Sequence, residues 1–351
     1  MIRTTPSRPV DVAGVLPQLG PLARTATRLH PRLGAPTVHD SSVGGPLLWP
    51  AAEPWPHCDQ LHPFDTVANP TDALERVRLH RRIRVNARGR SLTAQEQKLL
   101  SSTYSSDSRT PWLRRTTPLV PPWKESVAML PVAQLYARDV PDLPVPAGMD
   151  LLQVLWCPFD HDVAMPKTAV FWRSAESVAE VLDAPPEPAE VESDNYVPNP
   201  CIVAPEQVTE YPHELDLSGE LRELIADWDL WREAGVDLGD AEPRQFYVGE
   251  LATAPGWKVG GWPTWGFTDP VPQSCPACGA RMNPLLTIDS FEWDGDSRGW
   301  IPYQDQAEVA HWDSAYPYDW NLAGVQIASG QSQQLYVCPV EPTHPHTELM
   351  Q

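Results

Sequence analysis

Basic residues are scarce in this chain: 26 lysines and arginines stand against 46 aspartates and glutamates, a formal net charge of −20 over 351 residues. Nucleic-acid binding draws much of its affinity from Lys and Arg contacts to phosphate, so this balance argues against a nucleic-acid partner. Long apolar runs are missing too. No stretch approaches the roughly 20 apolar residues that span a bilayer, and Met1-Ile2-Arg3-Thr4-Thr5-Pro6 is not followed by the apolar core of a signal peptide. The expected location is therefore cytoplasmic, with no membrane partner. The H-E-x-x-H pair of metalloproteases is lacking as well. The paired glycines of Val43-Gly44-Gly45-Pro46 and Val259-Gly260-Gly261-Trp262-Pro263 have neither G-x-G-x-x-G spacing nor a following Lys-Ser/Thr, and read as tight bends. Asp289, Glu292, Asp294 and Asp296, crowded with Trp293 and Trp300, read as a solvated turn rather than a sugar- or cation-binding edge.

Proline is in excess, at 41 residues, more than double the usual share of about 5%. It removes a backbone donor and breaks helix interiors, which favours short strands, turns and long ordered loops. The 15 tryptophans and a 42% hydrophobic share provide for a core. Residues 1–36 read as an extended lead-in to a single domain over 37–351. Two related halves, 37–172 and 245–351, are joined by 173–244, which includes a Pro/acidic connector at 183–200. A basic, helical insertion at 66–126 interrupts the first half. Within it Thr93-Ala94-Gln95-Glu96 matches a capping box opening a helix through Leu100. Arg76, Arg78, Arg81, Arg82, Arg84, Arg88 and Arg90 form a basic island there, read as a solvated face paired with the protein's own carboxylates. Strands are expected at 127–137, 151–157, 168–172, 245–249, 285–291, 324–328 and 334–338. One helix is expected at 218–234, with Leu221, Leu224, Ile225, Trp228 and Trp231 as a core-facing stripe. The expected class is α+β, mainly β, with internally duplicated antiparallel sheets, a few helices and long Pro-rich loops.

Five of the six cysteines fall in a phrase that occurs twice. In the first copy the Val-Gly-Gly turn and Trp49 precede Cys58 and His62, then a strand through Gln134, then Leu155-Trp156-Cys157-Pro158 and His161. In the second, the Val-Gly-Gly turn and Trp265 precede Cys275 and Cys278, then Pro284-Leu285-Leu286, then Leu335-Tyr336-Val337-Cys338-Pro339 and His344. In a reducing compartment clustered cysteines are more often metal ligands than disulfides. Cys275-Pro276-Ala277-Cys278-Gly279 is a zinc knuckle, whose spacing lets both thiolates face one ion. Structural zinc takes four ligands, so Cys338 and His344 complete a Cys3His set, with His346 as the alternative histidine. The repeat then predicts a second, Cys2His2 set of Cys58, His62, Cys157 and His161, with His57 as the alternative to His62. Cys201 matches nothing and reads as a core thiol. Four protein ligands leave no position for water or substrate, so both zincs are expected to serve folding.

Gln134-Leu135-Tyr136-Ala137-Arg138-Asp139-Val140-Pro141-Asp142-Leu143-Pro144, followed by Leu151-Leu152-Gln153-Val154-Leu155, resembles the A-Q-(I/L)-x…P-x-L-P…G-L-L-Q-F-F signature of the YwqG-like family, a bacterial domain of unknown function. The Val259–Pro263 turn resembles its G-G/G-Y-P motif, and Pro284-Leu285-Leu286-Thr287-Ile288-Asp289-Ser290 resembles its L-L-L-Q-I-D-S strand. Taken in order, these matches cover most of residues 40–340, and the chain looks like an actinobacterial branch carrying extra cysteines. It departs from the pattern at Thr287, where the family has Gln. The resemblance implies repeated antiparallel sheets and brings no catalytic residues. The expected function is a non-catalytic, zinc-stabilised binding protein with a basic protein partner, of the toxin-neutralising or immunity type. A metal-dependent hydrolase and a carbohydrate-binding protein are the alternatives.

Overall fold

Short segments rich in Val, Leu and aromatic residues, bounded by Pro, Gly and Asp, become the strands of this protein. The computed structural model describes residues 2–60, 62, 72–87, 90–101, 126–161, 165–239, 241–309 and 321–351. In chain order the strands are β1 (Arg24–Arg28), β2 (Arg32–Leu33), β3 (Ser42–Val43), β4 (His57–Cys58), β5 (Asp72–Ala73), β6 (Val127–Ala128), β7 (Leu130–Tyr136) and β8 (Leu151–Asp160). They continue as β9 (Pro166–Arg173), β10 (Glu190–Val191), β11 (Cys201–Ile202), β12 (Glu206–Glu210), β13 (Lys258–Gly260), β14 (Asn283–Asp289), β15 (Ser332–Val337) and β16 (Thr347–Met350). Two six-stranded sheets dominate, ordered β2-β11-β3-β7-β8-β9 and β12-β1-β13-β14-β15-β16, with antiparallel pairing throughout. The fold is α+β and mainly β.

The last four strands of the two sheets follow the same plan. In each quartet the first strand ends at the Gly-Gly turn, and the second carries a register shift, at Pro131/Ala133 in one and Pro284/Leu286 in the other. On the third strand, alternation assigns the faces. Leu152, Val154 and Trp156 of β8, like Leu335 and Val337 of β15, enter one apolar core shared by both sheets. The opposite faces carry Gln153, Leu155 and Cys157 in one half and Gln334, Tyr336 and Cys338 in the other. Gln153 Nε2 donates to the Leu48 carbonyl at 3.0 Å, and Gln334 Nε2 to the Thr264 carbonyl at 2.9 Å. Leu48 and Thr264 each lie three residues past the second glycine. The same amide thus pins the same turn in both sheets, and a cysteine follows four residues later on the same face.

The second Gly-Gly turn closes over a fully buried ion pair. Lys258 Nζ lies 2.6 Å from Glu210 Oε1, and Glu210 also accepts from the amides of Ala254 at 2.8 Å and Trp262 at 2.7 Å. Gly261 has φ +71°, and a Cβ there would sit 2.2 Å from Glu210 Oε2, so only glycine fits. Where β1 leads into β2, Arg28, His30 and Arg32 meet Glu206, Glu292 and Asp305. His30 faces Glu292 at 2.5 Å and Glu206 at 3.1 Å, while Arg32 reaches both Glu292 and Asp305 at 2.5 Å. The outer edges of the sheets also touch: Glu348 of β16 accepts from the Thr168 amide of β9 at 3.1 Å, and Trp172 donates to the Pro342 carbonyl at 3.0 Å.

Several expectations are corrected. Residues 1–36 are no lead-in: helix α1 (Val12–Val15) and a 3-10 turn at Pro17–Leu22 precede β1, which is an interior strand of its sheet. The short Arg-Thr-Ala-Thr-Arg run hides this role because Arg28 is buried through polar partners rather than apolar ones. The insertion contributes α2 (Leu74–Asn86) and α3 (Ala94–Ser101), with the Thr93/Glu96 capping box formed as expected. Its helix α2 is not merely solvated. Leu74 and Val77 join the shared core, and Arg81 donates to the carbonyls of Val197, Asp194 and Gly324. Arg78 pairs with Glu187 and Arg90 with Glu96, whereas Arg88 lies outside the described residues. The helix at 218–234 is two helices, α4 (Gly219–Ile225) and α5 (Trp228–Glu233), because Asp227 caps the second. Trp231 is buried, but Leu224 and Trp228 are exposed. Residues 245–249 form no strand; α6 (Pro243–Phe246) runs into a π-helix at Tyr247–Ala252, started by Pro243 in the first turn. Residues 324–328 hold only the bridge Ile327–Gln331. Helix α7 (Tyr303–Val309) was not anticipated.

Two stability outcomes follow. Truncating one member of a buried pair strands the other charge, so Lys258→Met lowers unfolding free energy by about 3–5 kcal/mol, whereas Lys258→Met/Glu210→Met recovers most of it. Urea titration of the single and double variants checks this. Burial opposes ionisation of Glu292, but His30 and Arg32 outweigh it and hold the carboxyl at about 2, against 4.5 for a free glutamate. A folded value below the unfolded one gives stability that is complete above the unfolded value and is lost as pH falls toward the folded one. The urea midpoint therefore drops between about pH 5 and about pH 2, and Glu292→Gln makes that drop shallower.

Candidate metal centres

The first centre forms where β8 ends. Cys157 follows Leu155 on the face away from the shared core, within an apolar cluster that includes Trp49, Trp55 and Phe159. The register shift between Trp156 and Asp160 lets the strand turn so that His161, just past its end, joins the same point. Cys58 arrives on β4, which is held by β6 through the Cys58–Val127 pairing, and Trp55 donates to the Met129 carbonyl at 2.9 Å. His62 is fully buried and stacks against Phe159 and His161. His62 Nε2 is 3.1 Å from Cys157 Sγ, and Cys58 Sγ is 3.6 Å from His161 Nε2.

The second centre rests on the knuckle. The Cys275 amide donates to the Ala280 carbonyl at 2.8 Å, and the Gly279 amide to the Cys275 carbonyl at 2.9 Å, closing a turn in which Gly279 takes φ +74°. Such a conformation suits glycine. Cys338 leaves the end of β15, and a turn from Glu341 to His344 swings the histidine back. Cys278 Sγ is 3.5 Å from Cys338 Sγ, and Cys275 Sγ is 3.5 Å from His344 Nδ1. This centre lies nearer the surface, with Cys278 exposed.

In each centre all four ligand atoms lie within 4.8 Å of one another. Bonds of about 2.0–2.3 Å to a tetrahedral ion place its ligands roughly 3.3–3.8 Å apart; three of the four distances above fall in that range, and the fourth, at 3.1 Å, is slightly shorter. The backbone prepares the sulfurs as well. Each of the five cysteines accepts from the amide two residues further on: Gln60 to Cys58, Phe159 to Cys157, Ala277 to Cys275, Ala280 to Cys278 and Val340 to Cys338. Hydrogen bonds to the ionised form favour it. The facing sulfur of Cys157, followed by the ring nitrogens of His161 and His62, holds the Cys58 thiol far below its ordinary value; Cys58 in turn, together with burial, pushes Cys157 up. Burial opposes ionisation of Cys275 and Cys338, but amide donors keep both low, whereas Cys278, though it accepts from Ala280, is raised by neighbouring Cys338. Cys201 has no such amide. Its thiol is pushed up to about 12 by burial and donates to the Leu322 carbonyl at 3.6 Å.

Two Cys/His clusters that could hold a metal ion are therefore present, on the residues the sequence singled out. Both choices between histidines are resolved. His57 is exposed, with Nδ1 against the Trp55 carbonyl, and His346 contacts Thr168 Oγ1 at 2.8 Å; neither joins a cluster. Sequence reasoning missed Glu192, whose carboxyl accepts from the Asp160 amide at 2.5 Å and is raised by burial while feeling the fields of His62 and His161. Its place in the Pro/acidic connector gave no signal. Scans against protein-family models and curated proteins find no match to this chain.

His62→Ala and His344→Ala are each expected to lower bound metal by one equivalent per chain, while His57→Ala, His346→Ala and Cys201→Ser leave it unchanged. Elemental analysis of the purified variants checks this, and an unchanged metal content in His62→Ala would retire the first centre.

Proposed function

We propose that this protein is a non-catalytic binding protein whose two halves are each stapled by a structural zinc ion. The observation that carries the reading is the matched pair of closed quartets, with every cysteine receiving an amide two residues on. Mixed thiolate and imidazole ligands in a four-fold set favour zinc over oxygen-seeking ions. Cys58, His62, Cys157 and His161 would hold one ion, and Cys275, Cys278, Cys338 and His344 the other. Bound there, zinc supplies charge neutralisation and cross-linking; four protein ligands leave no position for water. The shared strand plan, the pinned Gly-Gly turns and the quoted phrases support placing the chain as a divergent, internally duplicated member of the YwqG-like family.

For the partner, the net charge of −20 supports a basic protein approached through electrostatic steering in the cytoplasm, as a toxin-neutralising protein requires. A carbohydrate-binding role draws less support. Trp49, Trp55, Trp156, Trp231, Trp257, Trp265, Trp293 and Trp300 are buried, and Trp228 is the only one classed as exposed among the described residues.

Elemental analysis should give two zinc ions per chain, and the cobalt-substituted protein a four-coordinate spectrum at both sites. Removing the metal with a chelator should lower the melting temperature. A five-coordinate, water-bearing cobalt spectrum would overturn the structural role in favour of a metal-dependent hydrolase. Affinity capture at low salt tests the partner, with a basic protein, released by added salt, as the expected catch.

A further inference from the structure

An open cleft of about 650 Å³ lies beside the π-helix and contains no ligand of either metal centre. Its charge is one-sided. Glu214, Glu242, Asp289, Asp294 and Asp296 line it against the single guanidinium of Arg244, and none of the five forms a salt bridge among the described residues. Two lining hydroxyls are also free. Thr253 and Ser332 are 7% and 6% exposed, yet their side chains meet no hydrogen-bond partner among the described residues. Both hydroxyl oxygens still reach the open cleft, so each is available to hydrogen-bond a polar ligand there.

The carboxylates are held in place rather than loose. Asp294 Oδ1 accepts from the Asp296 and Ser297 amides at 3.0 Å and from Ser297 Oγ at 2.7 Å. Asp296 accepts from Gln245 at 3.0 Å, and Asp289 accepts from the Gly256 and Phe291 amides. Trp265 gives the cleft an apolar wall, its indole fixed by donation to Asp216 at 2.6 Å. Asp289 itself is raised to about 6, by burial first and by the nearby Asp294 charge, which outweigh its amide donors and Lys258. The adjoining Tyr247–Ala252 segment is a π-helix, a form that recurs at functional sites.

We propose that this cleft binds a guanidinium group. Dispersed acceptors, both carboxylate and hydroxyl, suit a planar cation with five donors better than the compact ammonium of lysine, and an indole wall suits the flat face of the group. The inference rests on the reading of the protein as one that recognises a basic partner, for which an arginine side chain is the source; a small arginine-like molecule offers the same chemistry.

The test is calorimetric titration of the full, metal-loaded chain at low salt with arginine amide, a short arginine-containing peptide, lysine amide and citrulline amide, the neutral isostere. Arginine amide or the peptide should bind, lysine amide more weakly, and citrulline amide not at all. Saturation by the peptide alone identifies a polypeptide source, and saturation by arginine amide a small-molecule one. Glu242→Gln and Asp296→Asn should each weaken binding by about tenfold, as expected for one charge-assisted hydrogen bond. Glu187→Gln, outside the cleft, should not. Thr253→Val provides a second route should a carboxylate variant fold poorly, and is expected to weaken binding too. Binding of neither arginine probe, equal binding of citrulline, or equal losses in Glu187→Gln would overturn the proposal. Metal content measured on the same samples separates the two readings: two ions without guanidinium binding retires the cleft alone.

Discussion

Thiolates at close range repel, and this protein brings Cys278 and Cys338 to 3.5 Å with a backbone amide aimed at each sulfur. Such a pair can share a proton or a cation, and the amides favour the ionised sulfurs that a cation would need. The surrounding architecture is organised around that demand. In each half a loop that follows the Gly-Gly turn, and that has little regular structure of its own, is brought against the end of a long interior strand. Among the described residues, the knuckle's strand pairing is the Ser274–Arg281 bridge, and that of β4 is its two-residue pairing with β6. An ion held in each cluster would make these loops part of the sheet to which they are otherwise thinly attached.

Much of this was legible in the sequence, for a definite reason. Strand alternation fixes which residues share a face, so a cysteine four residues beyond a turn-pinning glutamine must emerge on the turn's side of the sheet. Gln153 and Cys157, and Gln334 and Cys338, both obey that rule, and the repeat exposed it. What stayed hidden was structure built from polar burial. The strand Arg24–Arg28 has no apolar alternation because its inward side chains include an arginine bonded to carbonyls. The 245–249 segment has strand-like composition, yet a proline in the first turn commits it to a helix whose buried residues, Tyr247 and Leu251, recur at helical spacing. The break at Asp227 was hidden because one apolar stripe runs through it.

The two halves share a plan but differ where they meet the rest of the chain. Ser42 and Gln134 pair across β3 and β7, whereas the corresponding partners across β13 and β14 are Lys258 and Thr287. In the first half Gln134 itself supplies the acceptor for the Leu48 amide and for Gln153. In the second, a shorter threonine leaves that place empty of amide, and the lysine turns to Glu210 on the neighbouring side. Thr287, where the first half has Gln134, therefore goes with the fully buried Lys258–Glu210 pair of the second half.

The contact between the outer strands has a separate consequence. Edge strands β9 and β16 would ordinarily present unpaired amides to any passing chain and invite it to extend the sheet. Here the Thr168 amide is taken by Glu348, Lys167 sits 2.8 Å from the same carboxylate, and Trp172 is tied to the loop that carries His344. Each edge occupies the other. On this side of the two sheets, the strand edges are thus engaged with one another within one molecule.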